Sequence, residues 1–152
     1  MRNFSLNSPT STLLNQDTFY KAFQRDLGCA RNLVVIESPF ITQRRVAALL
    51  PTIKKLKSRG VRVVVNTKPI DEHDDTMAAQ AELAIYVLQE MDITVLMTVG
   101  HHRKIAIIDD ILYEGSLNIL SQNDSCELMR RIDDASSVRE MLRFIRLEKW
   151  CK

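Results

Sequence analysis

The stretch that decides the fold runs His101-His102-Arg103-Lys104-Ile105-Ala106-Ile107-Ile108-Asp109-Asp110-Ile111-Leu112-Tyr113-Glu114-Gly115-Ser116-Leu117-Asn118. Apolar runs at Lys104 to Ile108 and at Ile111 to Tyr113 flank Asp109-Asp110, the composition of two short strands around a turn. His102, Lys104 and Asp109 satisfy the spacing H-x-K-x-x-x-x-D. On an extended chain residues two apart share a face, so His102 and Lys104 project together while Ile105 and Ile107 turn into a core. Gly115-Ser116-Leu117-Asn118 follows the second run. Its small residues permit close backbone approach, and Ser116 and Asn118 again share one side.

These residue types in this pattern suit a phosphodiester. An imidazole can act as nucleophile, an ammonium supplies a point charge, and a hydroxyl and an amide donate to phosphate oxygens. The first spacing alone is expected by chance in about one chain in a hundred of this length. The added G-S-x-N makes coincidence remote. His101 reads as a bystander beside His102. His73 lies in Asp71-Glu72-His73-Asp74-Asp75, where helix capping explains five consecutive polar residues better than a metal site does. His73 keeps a substrate-contact role as the alternative, because its loop follows a strand at the sheet end where α/β sites gather.

The flanking sequence alternates between two hydrophobic periods. Asn15 can cap a helix carrying Phe19, Tyr20, Phe23 and Leu27, and Leu33-Val34-Val35-Ile36 is a buried strand. Thr42 can cap a helix through Val46, Leu49 and Leu50. Pro51 is expected to kink it or to start a new segment reaching Gly60. Val61 to Val65 is a second strand. Asp74 or Asp75 caps a third helix through Met91, and Ile93 to Val99 is a third strand. Leu128 to Ile132 is a further one. Ser137-Val138-Arg139-Glu140 reads as a capping box for a last helix. This alternation predicts an α/β class with a mixed, largely parallel sheet flanked by helices. Residues 1–14, polar and rich in Ser, Thr and Asn, read as a flexible tail or linker, and residues 15–152 as one domain.

The segment from His102 to Glu127 resembles the His–Lys–Asp signature of the phospholipase D superfamily, with its trailing G-S-x-N and a downstream acidic residue. The interval from Asp109 to Gly115 is one residue shorter than that family's commonest pattern. The resemblance implies a half-domain of the phospholipase D fold and a two-step, metal-independent mechanism without a cofactor. One histidine attacks phosphorus to form a phosphohistidine, and a histidine from a second motif protonates the leaving oxygen. It implies catalytic roles for His102, Lys104, Ser116 and Asn118. Glu127 would orient a catalytic His, and Asp109 would hold loops and charges near the site. One motif makes half a site, so the resemblance also implies a homodimer or pairing with a second half elsewhere.

Composition bounds the substrate. The 152 residues are 45% hydrophobic and 26% charged with a net charge of only +2, so bulk charge does not announce a nucleic-acid binder. Basic clusters at Gln43-Arg44-Arg45, Lys54 to Arg59, Arg130-Arg131 and Arg143 to Lys152 fit solvated faces as well as phosphate contacts. Arg44 and Arg45 are candidate phosphate contacts and Phe40 a candidate base platform. No signal-like or membrane-spanning apolar run is seen. Three widely spaced cysteines fit free thiols and a cytoplasmic setting. The expected activity is that of a nuclease, an endonuclease on DNA ahead of RNA. The wording around Glu37 and Glu114 also resembles phospholipase D-like domains attached to helicases and restriction-type proteins, which are possible partner domains. The alternatives are a non-catalytic nucleic-acid-binding or dimerisation module and a phospholipid phosphodiesterase.

Overall fold

The β-branched runs at 33–36 and 61–65 become neighbouring parallel strands, each buried on both faces. A computed structural model describes residues 9–121 and 124–152. In chain order the elements are β1 (Thr10–Leu14), α1 (Phe19–Cys29), β2 (Leu33–Glu37), α2 (Gln43–Ser58), β3 (Arg62–Thr67), a 3-10 turn (Ile70–Glu72), α3 (Asp75–Glu90), β4 (Thr94–Met97), β5 (Ile105–Ile108), β6 (Ile111–Gly115), β7 (Met129–Asp133), α4 (Ala135–Ile145) and a 3-10 turn (Glu148–Trp150). The strands form one sheet in the order β1-β7-β6-β5-β2-β3-β4.

The mixed α/β class is found. Among the strands of the described residues, parallel pairing is confined to β2–β3 and β3–β4 and the other strand pairs are antiparallel; a single parallel bridge joins Ile41 to Leu120 outside them. The expectation of a largely parallel sheet therefore holds only for that half. The reason is the connections: α2 and α3 are crossover helices, which parallel strands require, whereas β5 and β6 are joined by the tight Asp109-Asp110 turn.

Strand parity assigns the two layers. Val34, Ile36, Val63, Val65, Ala106 and Ile108 face α1, α2 and α3, with Phe19, Phe23, Leu49, Leu56, Ala84 and Leu88 opposite them. Val35, Val64, Ile105, Ile107 and Leu112 face Val138, Ile145 and Leu147 on the α4 side. A one-residue slip in β5 would exchange these sets.

Several local expectations are corrected. Residues 10–14, expected in a tail, form edge strand β1, paired antiparallel with β7 from Thr10 opposite Asp133 to Leu14 opposite Met129. Its polar Thr-Ser-Thr start hides it, because an edge strand is held chiefly by its backbone. Residues 1–8 lie outside the described residues. The cap of α1 is Thr18, while Asn15 Oδ1 makes a turn by accepting from the amides of Asp17 and Thr18. Pro51 starts no new segment: α2 runs through it. Pro51 and Ala47, whose carbonyl loses its helical donor, are both exposed, so water can serve that carbonyl. The cap of α4 is Asp134, one turn before the expected box; it accepts from Ser137 N and Oγ, both at 2.7 Å. Thr42 and Asp74 cap α2 and α3 as expected.

A charged knot ties α1 to the sheet. Asp26, 7% exposed, accepts from Tyr113 Oη at 2.5 Å and from Arg131 Nε at 2.6 Å. Burial alone would raise the Asp26 carboxyl, but the Arg131 and Tyr113 hydrogen bonds outweigh it and hold the group below the usual carboxylate range. A depressed folded pKa contributes stability above the unfolded value near 4 and loses it as pH falls through the folded value. Asp26→Asn should therefore cost about 3 kcal/mol at pH 7. The gap from the parent protein should narrow below about pH 4. Urea unfolding at pH 7 and pH 3 checks this; an equal loss at both would remove the charged role.

Candidate active site

Sheet topology gathers the carboxyl ends of β2, β3, β4 and β6 with the amino ends of β5 and β7 along one edge. Glu37 at the end of β2 is in register with Ile105 at the start of β5, and Ile105 is in register with Glu114 near the end of β6. The loop from Thr98 to Lys104 enters this edge. The Glu72 carboxylate fastens it by accepting from Gly100 N at 3.1 Å. Gly100 has a φ of +69°, a backbone that favours glycine.

His102, Arg103, Lys104, Gly115, Ser116 and Asn118 line one open cleft of about 440 Å³. His102 is exposed. Lys104 is half-buried; its ammonium donates to the His102 carbonyl at 2.8 Å and lies 3.4 Å from His102 Nδ1. Burial pulls the Lys104 pKa down, and Glu127 opposes that shift. Ser116 is locked to the start of β7. Its amide donates to the Leu128 carbonyl at 2.8 Å, its Oγ accepts from Leu128 N at 3.0 Å, and its hydroxyl donates to Glu127 Oε2. Asn118 sits in the loop after β6; its Oδ1 is buried and takes no hydrogen bond among the described residues. Tyr20 Oη, within reach of the carbonyls of Ile119 (3.0 Å) and Ser121 (3.2 Å), steadies that loop. Burial, partly offset by Arg45, pushes the Tyr20 phenol up to about 12, so it serves as a neutral donor.

The cleft thus unites His102, Lys104, Ser116 and Asn118, with Glu127 behind Ser116. Glu127 was expected beside a histidine; within one chain its carboxylate instead meets the Ser116 hydroxyl. Asp109 does not join the site. It lies at the far end of β5, where its carboxylate accepts from the amides of Arg31 (2.8 Å), Asn32 (2.9 Å) and Leu33 (2.9 Å). Its work is to shape the α1–β2 connection, from a left-handed backbone with φ +50°.

The four substrate-contact candidates do not line the cleft. Arg45 is half-buried, its guanidinium 3.6 Å above the Tyr20 ring, so it braces the loop-holding tyrosine and does not reach outward. Arg44 is exposed on the first turn of α2. Phe40 and His73 pack edge to face at 5.5 Å, with Lys68 Nζ 4.1 Å from the Phe40 centroid. Burial and then Lys68 hold the His73 pKa down. His101 is buried at 5% exposure; burial foremost lowers its pKa, and it lines a neighbouring cavity with Thr98 to Arg103. Among the described residues no three His, Cys, Asp or Glu side chains are grouped as metal ligands.

Sequence reading missed Arg103 and Glu37. Glu37 is fully buried and takes both Arg103 Nε (2.7 Å) and Nη2 (2.9 Å). The available signal was a carboxylate ending a continuous apolar strand, a position that demands a partner.

A family model for the cardiolipin synthase, phospholipase D-like domain matches residues 24–147. The chain belongs to the phospholipase D superfamily. No curated protein sequence matches it. Among solved structures it is similar to NucT from Helicobacter pylori, at 20% identity and a TM-score of 0.66, covering 95% of this chain and 98% of that one. Nuc from Salmonella typhimurium, a phospholipase D family member, gives 16% identity and a TM-score of 0.70 over 94% and 92%. TrmBL2, an archaeal chromatin protein with a described mode of DNA binding, gives 14% and 0.65 over 97% of this chain and 55% of that one. These likenesses carry the fold: the half-domain read from the sequence is the one these proteins share. Among the described residues no helix is long and apolar enough to cross a membrane.

Proposed function

We propose that this phospholipase D-superfamily chain is a metal-independent phosphodiesterase acting on DNA, as an endonuclease working in a homodimer. The observation that carries the reading is the convergence of His102, Lys104, Ser116 and Asn118 on one open cleft. His102 attacks phosphorus and forms an N–P bond as the P–O bond to the leaving group breaks. The partner subunit's His102 gives its proton to the departing oxygen. It then takes a proton from water, which attacks the phosphohistidine, breaks the N–P bond and restores His102. Lys104 and the Ser116 and Asn118 side chains hold the non-bridging oxygens where negative charge accumulates. The comparable length and fold of NucT and Nuc support nucleic acid as substrate.

A phospholipid substrate is the second reading, favoured by the matching family's description. The deciding experiment incubates the protein in EDTA with labelled single- and double-stranded DNA and, separately, with phospholipid vesicles. Cleavage of DNA in EDTA is expected, because Lys104 and neutral donors supply the electrostatic stabilisation. Strict dependence on magnesium would contradict the mechanism, and turnover of lipid alone would replace the substrate.

A further inference from the structure

We infer that Arg103 binds a second phosphate of the substrate, adjacent to the one that is cleaved, and that Glu37 is its positioning residue. The inference deepens the nucleic-acid reading above and rests on it.

Arg103 is the residue between His102 and Lys104 in the signature, and its side chain is held unlike theirs. Nε and Nη2 both bond the Glu37 carboxylate, at 2.7 and 2.9 Å. Glu37 is itself enclosed and held by further partners. It is fully buried at the end of β2, in register with Asn66 on β3 and Ile105 on β5. Its Oε1 also accepts from Asn66 Nδ2 at 2.9 Å, and Asn66 Oδ1 accepts from Thr98 Oγ1 at 2.9 Å. Three neighbouring strand ends therefore fix one edge of the guanidinium.

The opposite edge is open. The Arg103 side chain is 38% exposed, and its Nη1 has no bond among the described residues. Arg103 lines the catalytic cleft and also the adjoining cavity of about 350 Å³ formed by Thr98 to Arg103. If charge cancellation of Glu37 were its whole purpose, a residue enclosed like its partner would serve. A planar fork anchored on one edge and open on the other offers the remaining N–H groups to a tetrahedral anion with little side-chain entropy left to lose. Next to a bound phosphodiester, the anion repeated along a nucleic-acid strand is the neighbouring phosphate. A single isolated phosphodiester would leave this edge without a partner.

The test uses the full chain carrying His102→Ala, which binds without cutting, and two thymidine oligomers of equal length. All linkages are neutral methylphosphonates except one phosphodiester in the first oligomer and two adjacent phosphodiesters in the second. Charge-assisted hydrogen bonds to one extra phosphate predict about ten-fold tighter binding of the second oligomer. Adding Arg103→Lys, which keeps a cation beside Glu37 but lacks the fork, should bring the two affinities within about two-fold. Glu37→Gln should reduce the preference although Arg103 remains. Folding of each variant is checked by thermal melting. A ten-fold preference that survives in the folded Arg103→Lys protein overturns this inference and leaves the nuclease reading standing. Binding of neither oligomer by the His102→Ala parent sinks both.

Discussion

Replacement of His102 by Ala should lower turnover by at least about four orders of magnitude while leaving the fold unchanged. The first half follows from the proposed role: among the described residues of the chain no other imidazole lines the cleft with Lys104, Ser116 and Asn118, so with His102 replaced in both subunits nothing takes over the proposed attack on phosphorus. The second half follows from burial. His102 is exposed, and the ammonium beside it is already satisfied by the His102 main-chain carbonyl. Steady-state hydrolysis and thermal melting of the same preparation separate the two claims. Subunit mixing then probes the shared site. If each site needs both copies of His102, equal amounts of parent and variant, exchanged at random, should retain about a quarter of the parent activity; independent sites would retain about half. A variant that still turns over at the parent rate would end the nucleophile assignment.

Gly115→Ala should be the most damaging small change outside the reacting groups. A Cβ at this position would stand 2.0 Å from the Leu128 carbonyl oxygen, 2.9 Å from its carbon and 2.8 Å from Met129 Sδ. The methionine tip could swing aside, but the carbonyl cannot. It accepts from Ser116 N, and the strand that follows is paired on both sides, to β1 and to β6. Separating β6 from β7 should cost about 3 kcal/mol. It should also cost activity in the protein that remains folded, because the displaced atoms carry Ser116 and Glu127. Urea unfolding and kcat on the folded fraction measure the two effects. Gly28→Ala is the natural control, since its added Cβ would meet nothing within 4 Å. A Gly115→Ala protein as stable as that control would mean the two strands do not approach as closely as described.

The group that lines the cleft was legible because chemistry restricts residue type and strand parity restricts spacing. His102 and Lys104 are two apart, as are Ser116 and Asn118, and a hairpin brings the pairs together. The helices were legible from their apolar stripes and from Thr42 and Asp74 as caps. What stayed hidden depends on partners far along the chain. Nothing local says that Arg103 reaches Glu37, 66 positions away, or that Asp26 meets Arg131, 105 positions away; both need the strand order. Edge strand β1 hid because its first three residues are polar and its pairing is carried by the main chain. Arg45 looked like a phosphate contact because its local setting is basic, yet the nearby Tyr20 ring claims its guanidinium.

The place of Asp109 gives the signature a mechanical meaning. Lys104 stands just before β5 and Asp109 just after it, so the four residues between them are the strand itself. At about 3.3 Å per residue they set a separation near 16 Å between the cleft end and the loop anchored at Arg31 to Leu33. The motif is in effect a ruler with the cleft at one end and a fixing screw at the other. Lengthening it by one residue would turn His102 and Lys104 to the opposite face of the sheet while Asp109 stayed clamped, leaving every letter of the signature present and the cleft empty of its proposed nucleophile.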